Sequence, residues 1–344
     1  MPEPRIAVVG ATGAVGEELL AVLAARGHAR GTIAAVASAN SAGRTVRCAD
    51  RELPLVAADA FAFNRGDVVF LGVDAAAAMP LAQRAVAAGA RVVDNSSAFR
   101  GDAAVPLVIP EVNPEALNTD PPPRLLANPN CSTIMLLVAL EPLRKAFGIE
   151  HVHVATYQAV SGAGRAAMDE LRDQTAAVLK GQPAEPRAFP LPCAFNVFPH
   201  ESAIDPATLA NGEERKIVAE ARRIWRAPDL PIDCACTRVP TLRAHCQAVT
   251  VTLAGVVSLD DVRSALANAP GLLPAAAHTL AATGRDEVLV DRVRWATSEL
   301  DRPEAGRRRL SLWLAADQLR KGAALNAVQL AEACKWLPAR AGST

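Results

Sequence analysis

Neither charge is in excess in this sequence: Lys and Arg number 36, Asp and Glu number 36, and the formal net charge is +0. A chain so balanced sets up no global field to draw nucleic acid or an anionic membrane, although a local anion site stays open to it. Long apolar runs are missing as well. Ile134-Met-Leu-Leu-Val-Ala-Leu140 is among the longest, far short of the roughly 20 residues that span a bilayer. Met1-Pro-Glu-Pro-Arg5 leads straight into the first strand signal, so no secretory leader is expected. The seven cysteines are odd in number and lack framework spacing, which favours free thiols and a cytoplasmic, reducing setting. Metal patterns are wanting too. His151 and His153 share one face of a strand without a third or fourth ligand, and Cys234-x-Cys236 is not zinc spacing, so no metal is expected. Arg307-Arg-Arg309 is too short for a nucleic-acid site, and the four tryptophans show no regular spacing for stacking on bases. No internal repeat is found.

What is present is a core-forming chain of 344 residues, 51% hydrophobic and 21% charged, long enough for two domains. Short apolar strands at Arg5–Val9, Thr32–Ala37, Asp67–Leu71 and Arg91–Asp94 alternate with helix patterns at Val15–Ala25 and Ala75–Ala88. Buried strands alternating with helices predict a parallel, doubly wound sheet. After residue 131 the strands lengthen and gain Val and Thr, as in His151–Tyr157 and Ala248–Leu253. A Pro-rich connector, Gly181–Pro199, and a helix over about Gly212–Trp225 lie between them. Ala315–Trp336 reads as one more helix, returning to the first domain. The connector and the tail Pro338–Thr344 are the expected mobile segments.

Gly10-Ala-Thr-Gly13-Ala-Val-Gly16 follows the first strand and opens the first helix. That is the setting of a dinucleotide-binding turn: glycines allow the backbone to approach a pyrophosphate, which rests on the helix N-terminus. Gly10, Thr12, Gly13, Ala14 and Val15 are the expected contacts. The second strand lacks the carboxylate that usually holds a ribose 2′-hydroxyl. It ends instead in Ser38, Asn40 and Ser41 with Arg44 beyond, which favours NADP(H) over NAD. The fold class is therefore α/β: an N-terminal Rossmann-like doubly wound parallel sheet plus an α+β domain with a mostly antiparallel sheet. The expected division is 1–130 with about 320–344 for the dinucleotide domain, and 131–319 for the other.

Cys131 lies where the strand Arg124–Ala127 meets a helix running from Ser132 to about Leu140, across the turn Asn128-Pro129-Asn130. The first turn of a helix favours a thiolate, the nucleophile of carbonyl chemistry. A lone cysteine at such a junction is ordinarily inert; its company makes this one a candidate. Gln158 ends a strand and opens a Gly-rich turn, where an amide can position an acyl group. Arg238 and His245 are seven residues apart, on opposite faces of any straight strand, but Pro240 interrupts it and a bend would converge them on one pocket. A guanidinium grips a carboxylate bidentately, and a histidine titrating near neutrality can take a proton from a thiol and return it. Arg100 follows the fourth strand, where open α/β sheets bind ligands. Glu213 and Lys216 share a helix face. His28, His200 and His278 are set aside as packed or surface histidines.

In these segments, together with Lys321-Gly-Ala-Ala-Leu-Asn-Ala-Val328, the chain resembles the aspartate-β-semialdehyde dehydrogenase family nearly end to end. The resemblance implies reversible conversion of L-aspartyl-4-phosphate and NADPH to L-aspartate-4-semialdehyde, phosphate and NADP⁺, in biosynthesis of the aspartate-family amino acids, by a homodimer built through the second domain. It implies a thioester on Cys131, acid–base work by His245 and orientation of the acyl group by Gln158. Arg238 would bind the substrate carboxylate, Glu213 its ammonium, and Arg100, Asn130 and Lys216 the phosphate. Ser161, Gly162, Gly164 and Asn326 would line the nicotinamide side. Acetylglutamyl-phosphate reductases share the architecture and a Cys/His pair, but the Asn-Pro-Asn-Cys-Ser-Thr context favours the aspartyl enzymes. A non-catalytic dinucleotide-binding paralogue would have lost Cys131, Arg238 or His245, and all are present. The chain departs from the family pattern at Asn40, where Arg is common, at Met135, and at Asp74, which would repel phosphate if it faced the cofactor.

Overall fold

The computed structural model describes residues 4–303 and 306–339, and the chain divides into two compact units: Met1–Asn130 with Gly322–Thr344, and Cys131–Lys321. The first three residues, and the tail from residue 340 onward, lie outside the described residues.

In the first unit the chain forms β1 (Ile6–Val9), α1 (Ala14–Ala25), β2 (Ile33–Ala37), β3 (Thr45–Cys48), β4 (Arg51–Ala57), β5 (Val68–Leu71), α2 (Ala75–Ala87), β6 (Arg91–Asp94) and β7 (Leu125–Ala127). β1 and β5 are apolar and buried at every residue, as strands covered on both faces must be. Among the described residues they lie in a seven-stranded sheet of order β3-β4-β2-β1-β5-β6-β7. Pairing is parallel except at the edge, where β3 runs antiparallel to β4. Leu19, Leu20 and Leu23 of α1 pack with Ile6 and Val8 on one face. Ala78, Leu81 and Ala85 of α2 pack with Ala7, Val9 and Leu71 on the other. The sheet is doubly wound, and the order turns back between β1 and β5, the switch point at which such sheets bind ligands.

The second unit contains α3 (Cys131–Phe147), β8 (Ile149–Gln158), α4 (Arg165–Leu179), β9 (Phe198–Pro199), α5 (Gly212–Ile224), β10 (Ile232–Arg238), β11 (His245–Leu253), α6 (Leu259–Ala267), β12 (Leu272–Pro274), α7 (Thr279–Ala282), β13 (Val288–Trp295) and β14 (Arg309–Ala316). Its strands form a second seven-stranded sheet, β12-β13-β14-β11-β8-β10-β9, parallel only at β12–β13 and β8–β10. α3 is buried from Ser132 to Glu141 and packs on β8, β11, β13 and β14. The facing strand residues, Val152 and Val154 of β8 and Val249 and Val251 of β11, are buried accordingly. On the opposite face Ala155, Ala248 and Trp313 are half-buried and Tyr157 is exposed, the Tyr157 and Trp313 ring centroids 5.2 Å apart.

The expected helix over Ala315–Trp336 is corrected. Ala315 and Ala316 finish β14, where Ala315 pairs with Cys246. The buried Asp317 carboxylate then accepts from the backbone N–H groups of Leu319, Arg320 and Gly284, folding the chain into a turn. Helix resumes as a π-type turn over Arg320–Ala324 and α8 (Leu325–Ala333), whose Leu325, Val328 and Leu330 join the α1 side of the first unit's core.

Candidate active site

Strands β11, β8 and β10 lie side by side in that order, and three polar residues meet at their common end. Gln158 closes β8, Arg238 closes β10 directly beside it in register, and His245 opens β11 one residue beyond the Cys246–Tyr157 pair. Arg238 and His245 are therefore not brought together by a bend within one strand, as the spacing alone suggested. The Val239–Ala244 segment carries the chain across the end of β8, and the two side chains flank Gln158 from either side. All three project on the α3 face. So does Gln247, two residues beyond His245, and its Nε2 donates to the carbonyl of Ser132 at 2.9 Å. That bond ties the sheet to the residue following Cys131, the first residue of α3, whose thiol is half-buried. The thiol stands at the N-terminus of a helix, where the helix dipole favours a developing anion.

The Ala159 backbone joins the two ends of the cluster. Its N–H donates to His245 Nδ1 at 3.0 Å and its carbonyl accepts from Arg238 Nη1 at 2.8 Å. With Nδ1 an acceptor, the ring proton of neutral His245 belongs on Nε2, and Nε2 is buried with no hydrogen-bond partner among the described residues. Burial first, and then the charge of Arg238, pushes the His245 pKa down to about 3. The expectation that this ring titrates near neutrality is thus corrected for the ligand-free chain, because the fully buried ring loses the water that would stabilise its cation. Gly162 fits closely: a Cβ there would lie 3.3 Å from His245 Nε2 and 3.5 Å from Arg238 Nη1. Gly164 holds φ +92°, a glycine conformation. Ser161 accepts from Gln318, whose own amide oxygen takes the Ala244 N–H at 2.9 Å.

Gln158 is clamped, accepting from Thr156 Oγ1 at 3.0 Å and donating from Nε2 to Glu213 Oε1 at 3.1 Å. Glu213 stands buried in the first turn of α5 and also receives Lys216 Nζ at 3.2 Å. Arg238, 1% exposed, holds partners that sequence reading missed. Its Nε and Nη2 donate to the two carboxylate oxygens of Glu201 at 3.2 and 2.6 Å, and Nη2 also donates to His200 Nε2 at 2.9 Å. The Phe189 ring lies under the guanidinium, 5.1 Å from centroid to Cζ. Burial alone would raise the Glu201 pKa, but the Arg238 hydrogen bond and charge outweigh it and hold the carboxyl below the ordinary range. His200 is pushed down, chiefly by burial. No local signal marks Glu201 or His200, which follow a two-residue strand at the end of a Pro-rich connector.

In the first unit the glycine turn is built for close approach. Gly10 holds φ +82°, and a Cβ there would fall 2.4 Å from the Gly72 carbonyl oxygen; a Cβ on Gly16 would fall 2.1 Å from the Gly10 oxygen. Gly13 caps α1 without a side-chain cap bond, leaving first-turn N–H groups for a ligand, and Thr12, Gly13, Ala14 and Val15 are partly accessible there. These features fit a dinucleotide pyrophosphate. Ser38 and Asn40 are exposed just past β2 and Ser41 is half-buried. Asp74 is committed to capping α2, accepting from Ala77 N–H at 3.0 Å. Arg100 Nε and Nη2 donate to the carbonyls of Asn128 and Asn95, each at 2.9 Å. Asn128 is the hub of this loop system: it donates to Asn95 Oδ1 and the Ala323 carbonyl and accepts from Asn326 Nδ2 at 2.6 Å. Asn326 also donates to the Val108 carbonyl at 3.2 Å, and Asn130 is buried.

A doubly wound dinucleotide-binding sheet joined in one chain to a unit in which a cysteine opens a helix and a buried histidine and a buried arginine meet at strand ends is the arrangement of a nicotinamide-dependent dehydrogenase. Residues 5–120 match the semialdehyde dehydrogenase NAD binding domain, and residues 140–321 the semialdehyde dehydrogenase dimerisation domain. The aspartate-semialdehyde dehydrogenase of Synechocystis sp. is 43% identical over 96% of this chain and 98% of its own. That of Legionella pneumophila is 40% identical over 95% and 94%. The crystal structure of aspartate semialdehyde dehydrogenase II from Vibrio cholerae complexed with ASA superposes with a TM-score of 0.89 at 38% identity, covering 97% of this chain and 98% of that one. The chain belongs to the aspartate-semialdehyde dehydrogenase family.

Proposed function

We propose that this oxidoreductase carries out the phosphate-dependent, reversible interconversion of L-aspartyl-4-phosphate and L-aspartate-4-semialdehyde with NADP(H), feeding biosynthesis of the aspartate-family amino acids. The observation that carries the proposal is the meeting of Gln158, Arg238 and His245 at neighbouring strand ends, on the face where α3 begins with Cys131. Cys131 Sγ adds to the substrate carbonyl carbon, and the acyl group passes through a thioester on that sulfur. A thioester is activated enough to split one hard exchange into two easier ones. N–H groups at the start of α3 stabilise the oxyanion of the adduct, an effect of about 3–4 kcal/mol per donor in measured cases. Gln158, fixed between Thr156 and Glu213, orients the acyl group. His245 is the acid–base group: Nε2–H is set to donate to the oxyanion, and anionic charge on a bound substrate raises the ring from a pKa near 3 toward proton transfer. Arg238 takes the substrate carboxylate, Glu213 its ammonium, and Arg100, Asn130 and Lys216 the phosphate. The dinucleotide, held at Gly10, Thr12, Gly13, Ala14, Val15, Ser38 and Ser41 with Ser161, Gly162, Gly164 and Asn326 toward the nicotinamide, supplies the hydride equivalent of the overall reaction. The absence of a carboxylate after β2 supports NADP over NAD. The match to a dimerisation domain over residues 140–321 supports a homodimer.

The test is the initial rate of NADPH formation from L-aspartate-4-semialdehyde with and without inorganic phosphate, NAD⁺ run alongside. Strict phosphate dependence and faster turnover with NADP⁺ are expected. Cys131→Ala is expected to lose turnover while still binding dinucleotide by calorimetry; retained turnover removes the nucleophile assignment, and a phosphate-independent rate removes the acyl transfer to phosphate.

A further inference from the structure

If Arg238 is the substrate-carboxylate site, it already holds a carboxylate of the chain itself. A guanidinium grips a carboxylate through a pair of parallel N–H groups, and the Nε/Nη2 pair of Arg238 is already closed on Glu201. The second Nη2 hydrogen goes to His200 and one Nη1 hydrogen to the Ala159 carbonyl. No second carboxylate can be gripped by two N–H groups until one of these partners leaves. The partners are not equally fixed. Ala159 is backbone between β8 and the Gly-rich turn. His200 accepts at Nε2, and its Nδ1 accepts the Ser202 N–H at 3.2 Å and lies 3.1 Å from Ser202 Oγ; Ser202 Oγ accepts the Glu213 N–H at 2.9 Å, holding the ring to the start of α5. Glu201 is the most accessible of the set, its side chain 19% exposed against 2% for Arg238. It sits just past β9, at the end of the connector.

We propose, resting on the assignment of Arg238 to the substrate carboxylate, that Glu201 is an internal competitor for that carboxylate, gripping Arg238 in the empty site and giving way when a ligand brings its own. The physical need for such a group is plain. A buried guanidinium stripped of its counter-charge is strongly destabilising, so an arginine placed to bind a substrate must be satisfied while it waits. Exchange of one carboxylate for another leaves the buried charge balance unchanged. It also makes Glu201 a determinant of specificity: an aldehyde without a carboxylate has nothing to offer Arg238 and leaves the Glu201 pair in place.

The probe is L-2-aminobutyrate, which keeps the ammonium, carboxylate and four-carbon chain of the semialdehyde but has no aldehyde to react. If the internal pair is closed in nine molecules of ten, the apparent dissociation constant is raised about tenfold over that of the open site. Calorimetry on the full chain is therefore expected to show Glu201→Gln and Glu201→Ala binding the probe about tenfold more tightly than the unsubstituted protein. In steady-state assays KM for the semialdehyde falls without a matching rise in kcat. Weaker or equal binding in both folded variants overturns the proposal, weaker binding marking Glu201 as a positioning residue for Arg238 or a ligand for the ammonium. Arg238→Ala separates the two readings. If it binds the probe as well as the unsubstituted protein, Arg238 is not the carboxylate site and both readings fall. If it loses the probe while the Glu201 variants gain nothing, only the competitor falls. Near-ultraviolet circular dichroism verifies the folded state, and should Glu201→Ala unfold, Glu201→Gln, which retains the volume and one acceptor, decides.

Discussion

The ring of His245 is neutral in the folded chain down to a pKa of about 3, whereas an exposed histidine titrates at 6.5. Between those values the unfolded chain binds a proton that the folded one refuses, so the contribution of this ring to stability is complete above 6.5 and declines as the pH falls toward 3. The slope for one proton is about 1.4 kcal/mol per pH unit. Urea midpoints for the native sequence and for His245→Asn, compared at about pH 7.5 and about pH 5.5, should show the native sequence losing about 1.4 kcal/mol more on acidification. Equal losses would place the proton elsewhere. His200, also held neutral chiefly by burial, stays in both proteins and cancels in the difference. At this scale the readable residues were those whose own chemistry stands out against their neighbours: a cysteine after Asn-Pro-Asn, an arginine and a histidine around a strand-breaking proline. Glu201, Gln247 and Gln318 went unread because their meaning lies in partners 37, 115 and 157 residues away. No periodicity encodes such a pairing.

α8 is held to the first unit by more than its apolar face. Glu332 accepts from Arg26 Nε and Nη2 at 2.9 and 2.5 Å and meets His28 Nε2 at 2.7 Å, all three side chains buried. Removing the carboxylate leaves a buried guanidinium without its counter-charge. Glu332→Ala should therefore cost about 3–5 kcal/mol in chemical denaturation. A change below 1 kcal/mol, roughly the range of an exposed pair, would show that water replaces the carboxylate there. The helix itself was misplaced at its start because the apolar Leu312–Ala316 segment of β14 and the apolar face of α8 look alike in composition. Only the Asp317 turn separates them. The β3–β4 hairpin was passed over for the opposite reason: Arg51, Glu52 and Pro54 mask a two-residue alternation in β4, where Leu53 and Leu55 reach the core beside Cys48 of β3. β1, β2 and β5 were legible because burial in the middle of the sheet leaves them no polar residue to confuse the pattern.

Over the whole molecule, the alternation of strand and helix followed by longer Val- and Thr-rich strands was enough to anticipate a parallel sheet and a mixed one. What the sequence could not convey was which face of the second sheet stays open, since that depends on where α3 packs. Ala155, Tyr157, Ala248 and Trp313 lie on the face away from it, and this face is the expected seam of the homodimer. Trp313→Glu places a charge there and is expected to halve the mass seen by sedimentation equilibrium; an unchanged mass would move the seam to another surface. The discontinuity of the first unit has a consequence for biosynthesis on the ribosome. Leu325, Val328, Leu330 and Trp336 are part of the core around α1, and they are made only after the whole of the second unit. The stretch Cys131–Lys321 is continuous and leaves the exit tunnel in full before the dinucleotide sheet has its last helix. A nascent chain halted at Asn130 would expose the α1 side of that sheet, making it a natural client for chaperones, while the unit that carries Cys131 is continuous in sequence.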